Sequence, residues 1–341
     1  MKKIILLLLL FLLCNKVYSN NLFESLFYEI EFTSNNIEDE KIKEIKKIKI
    51  KSILNILKKT LDDRYFQKTS SDLSEDLINT FVKNIIINDE KIINNKYQSK
   101  IKINFDQKKI IQFFREKNIP YVEYHPDYFL LIINERDKIG DNLFTRNNNF
   151  YKFYNQKMTN NKIFKIPNLD INDRFILNVE DIYNRDTEKI INFSNKYNLK
   201  ETVVVIVNKS ENQVDYNLIL YSDGEILNKN LNYNEYEFEE FFKILENETL
   251  NLWKKINKIQ NNSVNFINCH VDYYNMLELK EIRANLDNIS VIADLDIKSI
   301  SYKNIEYNIS YFGNLKILYK LFNLNSLKIN DYENSCVIKL Q

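Results

Sequence analysis

Apolar residues recur along this chain with two periods, and the switches between them lay out its elements. Phe27-Tyr28-Glu29-Ile30-Glu31-Phe32 alternates with period two, which predicts a strand. Ile42, Ile45, Ile53, Leu54, Ile56, Leu57 and Leu61 then recur at mostly helical spacing. Lys47 to Lys51 also alternates, so a strand stays open there, and length favours the helix. Ser70 or Ser71 can cap a second helix through Leu73, Leu77, Phe81 and Val82. Strands near 85–93 and 97–105 meet at Asn94-Asn95. Asp106 caps a helix carrying Ile110, Ile111, Phe113 and Phe114, which ends before Pro120. With a closing strand, the predicted order is β-α-α-β-β-α-β over residues 20–126.

The next block, 127–262, opens with the apolar strand Phe129 to Ile133 and a polar loop around Gly140. Phe144, Phe150, Tyr151, Phe153 and Tyr154 suggest a helix against that strand, and 163–167 a short strand. Asp186-Thr187 leads into a helix with Ile190, Ile191, Phe193 and Tyr197. Strands at 203–207, 216–221 and 225–231 follow, the last two turning at Asp223-Gly224, a strong hairpin signal. A long helix from Phe238 past Trp253 to Ile256 closes a three-layer α/β domain. The last block, 263–341, reads β-α-β-β-α-β, the ferredoxin-like order, with its final strand at 336–340. The whole is a multi-domain α+β protein: an α+β module, an α/β middle domain and a ferredoxin-like module.

The first nineteen residues break the pattern. Lys2 and Lys3 precede an uncharged apolar run from Ile4 to Cys14, and Val17-Tyr18-Ser19 places Val at −3 and Ser at −1. That order predicts a signal peptide over 1–19, cut between Ser19 and Asn20. The run is shorter than the roughly 20 residues of a membrane span, which leaves an uncleaved anchor as the alternative. Leu13 before Cys14 argues against a lipoprotein. No transmembrane segment is expected after it, and the protein is expected to be soluble, periplasmic or secreted.

Composition narrows the partners. Removing 1–19 takes away three Lys and leaves 45 basic residues against 47 acidic. Near-neutral charge argues against nucleic acid, which selects a basic stripe. The chain is rich in Asn, Ile, Lys, Tyr and Phe, with only three Gly and three Pro, so Asn takes the turns that Gly usually fills.

Chemistry is sparse. The three glycines are too scattered for a phosphate-binding loop, a dinucleotide fingerprint or a nucleophile elbow. His125 and His270 each precede an Asp by two positions (Asp127, Asp272), but a metal site needs three or four ligands. Asp170 and Asp173 with Arg174 form the one candidate acidic site; the competing reading is a loop whose Asp side chains bond nearby backbone N–H groups. No cofactor or metal is expected. Cys269 and Cys336 fall where the first and last strands of a ferredoxin-like module run as antiparallel neighbours, with both side chains inward. A disulfide and two buried thiols are the alternatives.

Four stretches carry a family likeness: 101–124 (IKINFDQKKIIQFFREKNIPYVEY), 164–173 (FKIPNLDIND), 190–207 (IINFSNKYNLKETVVVIV) and 277–321. Through them the chain resembles the uncharacterised bacterial envelope family DUF 2066, a domain of unknown function. The family's Pro-x-Gly-Asp-x-x-Asp turn reads here as Pro167 to Asp173, with Leu169 in place of Gly. The middle block is also similar in element order to the N-terminal domain of the periplasmic Tol-system propeller protein. The resemblance implies export and architecture, and no activity. The expected function is protein–protein contact with other envelope proteins, without catalysis. The alternative is a hydrolase or small-ligand-binding protein using the middle-domain carboxylates.

Overall fold

The structure, a computed structural model, describes residues 22–158, 163–209, 214–233, 237–261, 263–332 and 335–341. The expected signal peptide and its Ser19–Asn20 cut lie outside the described residues. Among the described residues no helix is long and apolar enough to cross a membrane. The protein is mixed α+β and divides into two compact units, one of residues up to 60 with 68–113, the other of 61–67 with 114–341.

The first unit holds a three-stranded antiparallel sheet in the order β1-β3-β2, with β1 Tyr28–Thr33, β2 Val82–Ile93 and β3 Lys96–Phe105. β2 and β3 meet at Asn94 and Asn95, both at positive φ (49° and 63°), the two left-handed residues a tight hairpin requires. Alternate residues of β3 (Tyr97, Ile101, Ile103, Phe105) are buried, on the parity that packs on the long helix α1, Ile37–Thr60. Lys47 to Lys51 is helical, and α1 buries Ile48, Ile53, Ile56 and Leu57.

Two further helices follow, α2 Asp63–Ser71 and α3 Glu75–Phe81, where one was expected. Ser70 and Ser71 lie inside α2; the cap of α3 is Ser74, whose hydroxyl accepts from Leu77 N at 3.2 Å. Asp106 does cap its helix, α4 Gln107–Glu116, through Lys108 N at 3.0 Å. The expected closing strand is absent: Pro120 lacks a donor, and the segment makes one bridge, Tyr121 to Ile259.

The second unit holds two sheets. The larger runs β5-β4-β7-β8-β9, with β6 also on β4. β4 (Phe129–Arg136) and β7 (Thr202–Lys209) are parallel; both are nearly continuous apolar runs because both of their faces are covered. β8 (Val214–Ser222) and β9 (Glu225–Tyr233) continue as an antiparallel meander through Asp223 and Gly224, at φ 51° and 78°. β5 (Asp141–Asn142) and β6 (Phe164–Lys165) are edge fragments.

Helices lie on both faces of that sheet. α5 (Asn149–Lys157) and α9 (Phe238–Asn257) meet through Phe150 and Phe241, and the ring of Tyr216 on β8 lies tilted against Phe241 at 5.1 Å. α6 (Ile171–Ile176), α7 (Val179–Tyr183) and α8 (Thr187–Lys196) bring Leu177, Ile182, Ile190 and Phe193 against Leu130, Ile132, Val204 and Ile219. Phe144 belongs to that core and lies outside α5, contrary to expectation.

The smaller sheet has the order β11-β12-β10-β14-β13. Its strands are β10 Val264–Asp272, β11 Ile292–Ser301, β12 Asn304–Phe312, β13 Leu327–Tyr332 and β14 Ser335–Leu340. α10 (Met276–Asp287) and α11 (Leu315–Leu324) supply Ile282, Leu286, Leu318 and Phe322 to its core. The expected antiparallel pairing of first and last strands is wrong: β10 and β14 are parallel. After α11 the chain lays down β13 at the edge, then doubles back so that β14 fills the gap beside β10.

Candidate functional site

Asp170, Asp173 and Arg174 do come together, on the turn that opens α6. Asp170 is the N-cap, accepting from Asp173 N at 3.0 Å. Asp173 is fully buried and its carboxylate is saturated from inside. It accepts from Leu169 N at 3.0 Å, Lys196 Nζ at 2.7 Å and the Tyr197 hydroxyl at 2.6 Å. Burial and the adjacent Asp173 carboxylate push the Tyr197 phenol far above its ordinary value. Arg174 spends its guanidinium on Phe144 O, at 3.0 and 3.2 Å. The two aspartates tie the turn to the end of α8 through Lys196 and Tyr197, and Arg174 ties it to the segment before α5. Leu169 sits in the turn at φ 61°, a backbone position where glycine costs least.

The histidines divide. His270 and Asp272 share one face of β10, and Asn304 stands between them: its amide donates to Asp272 at 2.6 Å and its oxygen lies 3.4 Å from His270 Nδ1. His125 packs its ring against Trp253 at 5.2 Å. Among the described residues no group of three His, Cys, Asp or Glu could hold a metal ion. Cys269 and Cys336 are fully buried and joined in a disulfide, directly opposite in the β10–β14 register with Cα atoms 4.4 Å apart.

Two clusters have no local sequence signal, because their members are far apart in the chain. Lys320 of α11 reaches Asp223 (2.8 Å), Glu201 (3.3 Å) and Asn257 (3.5 Å), with its ammonium 4.6 Å from the centre of the Tyr124 ring. Burial, then the Asp223 and Glu201 charges, hold the Tyr124 phenol far above its ordinary value. The ammonium fastens α11 to the six-stranded sheet.

The second cluster lies at the carboxyl ends of β4 and β7. From β4 the chain passes to β6 on one side by way of α5, then to β7 on the other by way of α6 to α8. Such a switch point is where open α/β sheets seat ligands. Asn134 is fully buried there; its amide donates to Asp141 (2.8 Å) and the Tyr183 hydroxyl (3.2 Å), while its Oδ1 has no partner among the described residues. On the opposite face, buried Glu135 accepts from Asn149 N at 3.0 Å and Lys209 at 2.7 Å.

No protein-family model matches the chain, and no curated protein matches it.

Proposed function

We propose that this is an exported envelope protein that works by protein–protein contact. The observation that carries the reading is an apolar surface at one end of the five-stranded sheet. Tyr273 N bonds Lys303 O at 3.1 Å, which sets the start of α10 beside the β11–β12 turn. There Tyr274, Leu277 and Tyr302 are 81%, 77% and 87% exposed, with Met276 and Ile300 exposed beside them. Apolar side chains left exposed on neighbouring elements are a feature of contact sites. Export is supported by the disulfide, which forms and persists in oxidising compartments.

The finer architecture follows the same reading. The C-terminal sheet is a ferredoxin-like module whose fourth strand is replaced by the β13–β14 hairpin, and the middle domain is α/β in the manner of the Tol propeller protein's N-terminal domain. Membership of DUF 2066 is supported by Leu169, whose left-handed backbone falls where that family carries glycine.

The test is crosslinking in intact host cells followed by purification of the full-length protein. The wild type should recover the same envelope proteins repeatedly, and Leu277→Asp with Tyr302→Asp should lose them. Repeated recovery of nothing sinks the reading.

A second reading, a small-ligand-binding protein, is favoured by the unpartnered Asn134 oxygen at the switch point. Native mass spectrometry of the protein taken from its host should then show a bound small molecule that Asn134→Leu abolishes. A bare chain excludes it.

A further inference from the structure

We infer that the first unit carries a groove for an acidic amphipathic helix of a partner protein; the inference rests on the contact reading and names a second surface for it. The groove runs between α1 and α3 and encloses about 310 Å³. Its floor is aliphatic: Ile42, Ile45 and Ile50 from α1, and Ile78 from α3. Ile42 and Ile50 are 63% and 38% exposed, two aliphatic side chains left in water on a helix whose other exposed positions are mostly charged.

The geometry selects a helix. The residues that α1 contributes, Ile42, Ile45, Lys46, Lys49 and Ile50, follow the spacing i, i+3, i+4, i+7, i+8, one continuous stripe. Eight residues of helix rise about 12 Å, so the stripe matches two turns of a third helix laid alongside. Two helices with a shared apolar furrow lack one ridge, and a partner helix with apolar residues at i, i+3 or i+4, and i+7 supplies it.

Charge selects the kind of helix. Lys46 on one wall is paired with Glu75 on the other. Lys49 donates at 2.9 Å to Asn79, a neutral amide, so none of the groove's own groups balances its charge. The rim therefore carries one cation in excess, and an Asp or Glu flanking the partner's apolar ridge completes it. Burial beside an apolar contact strengthens such a pair relative to one in open water.

The experiment places a photo-crosslinking residue at position 42 of the full-length protein, with a second version at position 277. Both are irradiated in intact host cells, and the adducts are sequenced by mass spectrometry. The position-42 adduct should map to a segment with helical apolar spacing and a flanking acid. Lys49→Glu should lower its yield roughly tenfold or more, since like charges across an interface cost several kcal/mol, and changing the partner's acid to Lys should restore it. An adduct on lipid, on an extended or basic segment, or a yield indifferent to Lys49→Glu overturns the groove assignment. Capture at 277 with none at 42 also overturns it while sparing the contact reading; capture at neither position removes both.

Discussion

Asp173 shows how a residue that looks chemical becomes structural. α6 is amphipathic in reverse: it turns its acid inward, while Ile171 and Phe175 face solvent. The inversion holds because Lys196, Tyr197 and Leu169 N together satisfy the carboxylate. Asp173→Ala leaves those donors without their acceptor, and breaking such a buried pair should cost about 3 kcal/mol in chemical denaturation. The backbone beside it offers a second test. A left-handed conformation costs an L-residue about 1–2 kcal/mol and glycine almost nothing. Leu169→Gly should therefore be more stable than Leu169→Ala by about 1 kcal/mol, although it removes more atoms; the reverse order of denaturation midpoints would show that the φ of 61° carries no strain. In the sequence the acids were legible as a loop motif with two readings. Lys196 and Tyr197, which decide between them, stand more than twenty positions away.

Elements that carry their own caps and turns were the legible ones. Asn94-Asn95, Asp223-Gly224, Asp106 and Asp186 each act where the sequence places them, because backbone sterics and a side chain's reach are local facts. α6, α7 and β13 leave no periodic mark in the sequence because they are short and their apolar residues too few to set a period: Leu327 is the one buried residue of β13. Strand direction is not written locally for another reason. Parity put Cys269 and Cys336 on one face, but only the unforeseen β13 makes β14 run parallel to β10. One short element also has a measurable pH signature. α7 is closed by a capping box, in which Asn178 N donates to Asp181 at 3.0 Å while Asp181 N donates back to Asn178. Burial alone would raise the Asp181 carboxyl, but Lys189 and the Asn178 N–H outweigh it and hold it below its ordinary value. A depressed acid stabilises the fold above its unfolded value, and that contribution fades as pH falls through the folded value. Thermal unfolding between pH 6 and pH 2.5 (roughly the window set by ordinary carboxyls) should thus show a steeper acid loss for the wild type than for Asp181→Asn. Parallel curves would remove the box from the acid response.

At the scale of the whole molecule, compartment and stability are tied by one bond. Cys269 and Cys336 stand 67 positions apart and are both sealed from solvent. Closing a loop of that size in the unfolded chain is worth about 4 kcal/mol by chain entropy, a large fraction of the 5–15 kcal/mol that typically holds a protein folded. The benefit depends on where the chain folds, since a reducing cytoplasm keeps thiols apart. The proposed signal peptide and the disulfide are therefore two halves of one expectation, and removing the first should forfeit the second. A chain lacking residues 1–19, made and kept in a reducing cytoplasm, should yield two free thiols on denaturation and melt roughly 10 °C below the chain recovered from the envelope. Oxidation after purification should abolish the difference, because the strand register already sets the two Cα atoms 4.4 Å apart. If the envelope form carried the same two free thiols, or if both forms melted together, the link between export and the C-terminal sheet would be severed, and the case for an oxidising compartment would fall back on the N-terminal pattern alone.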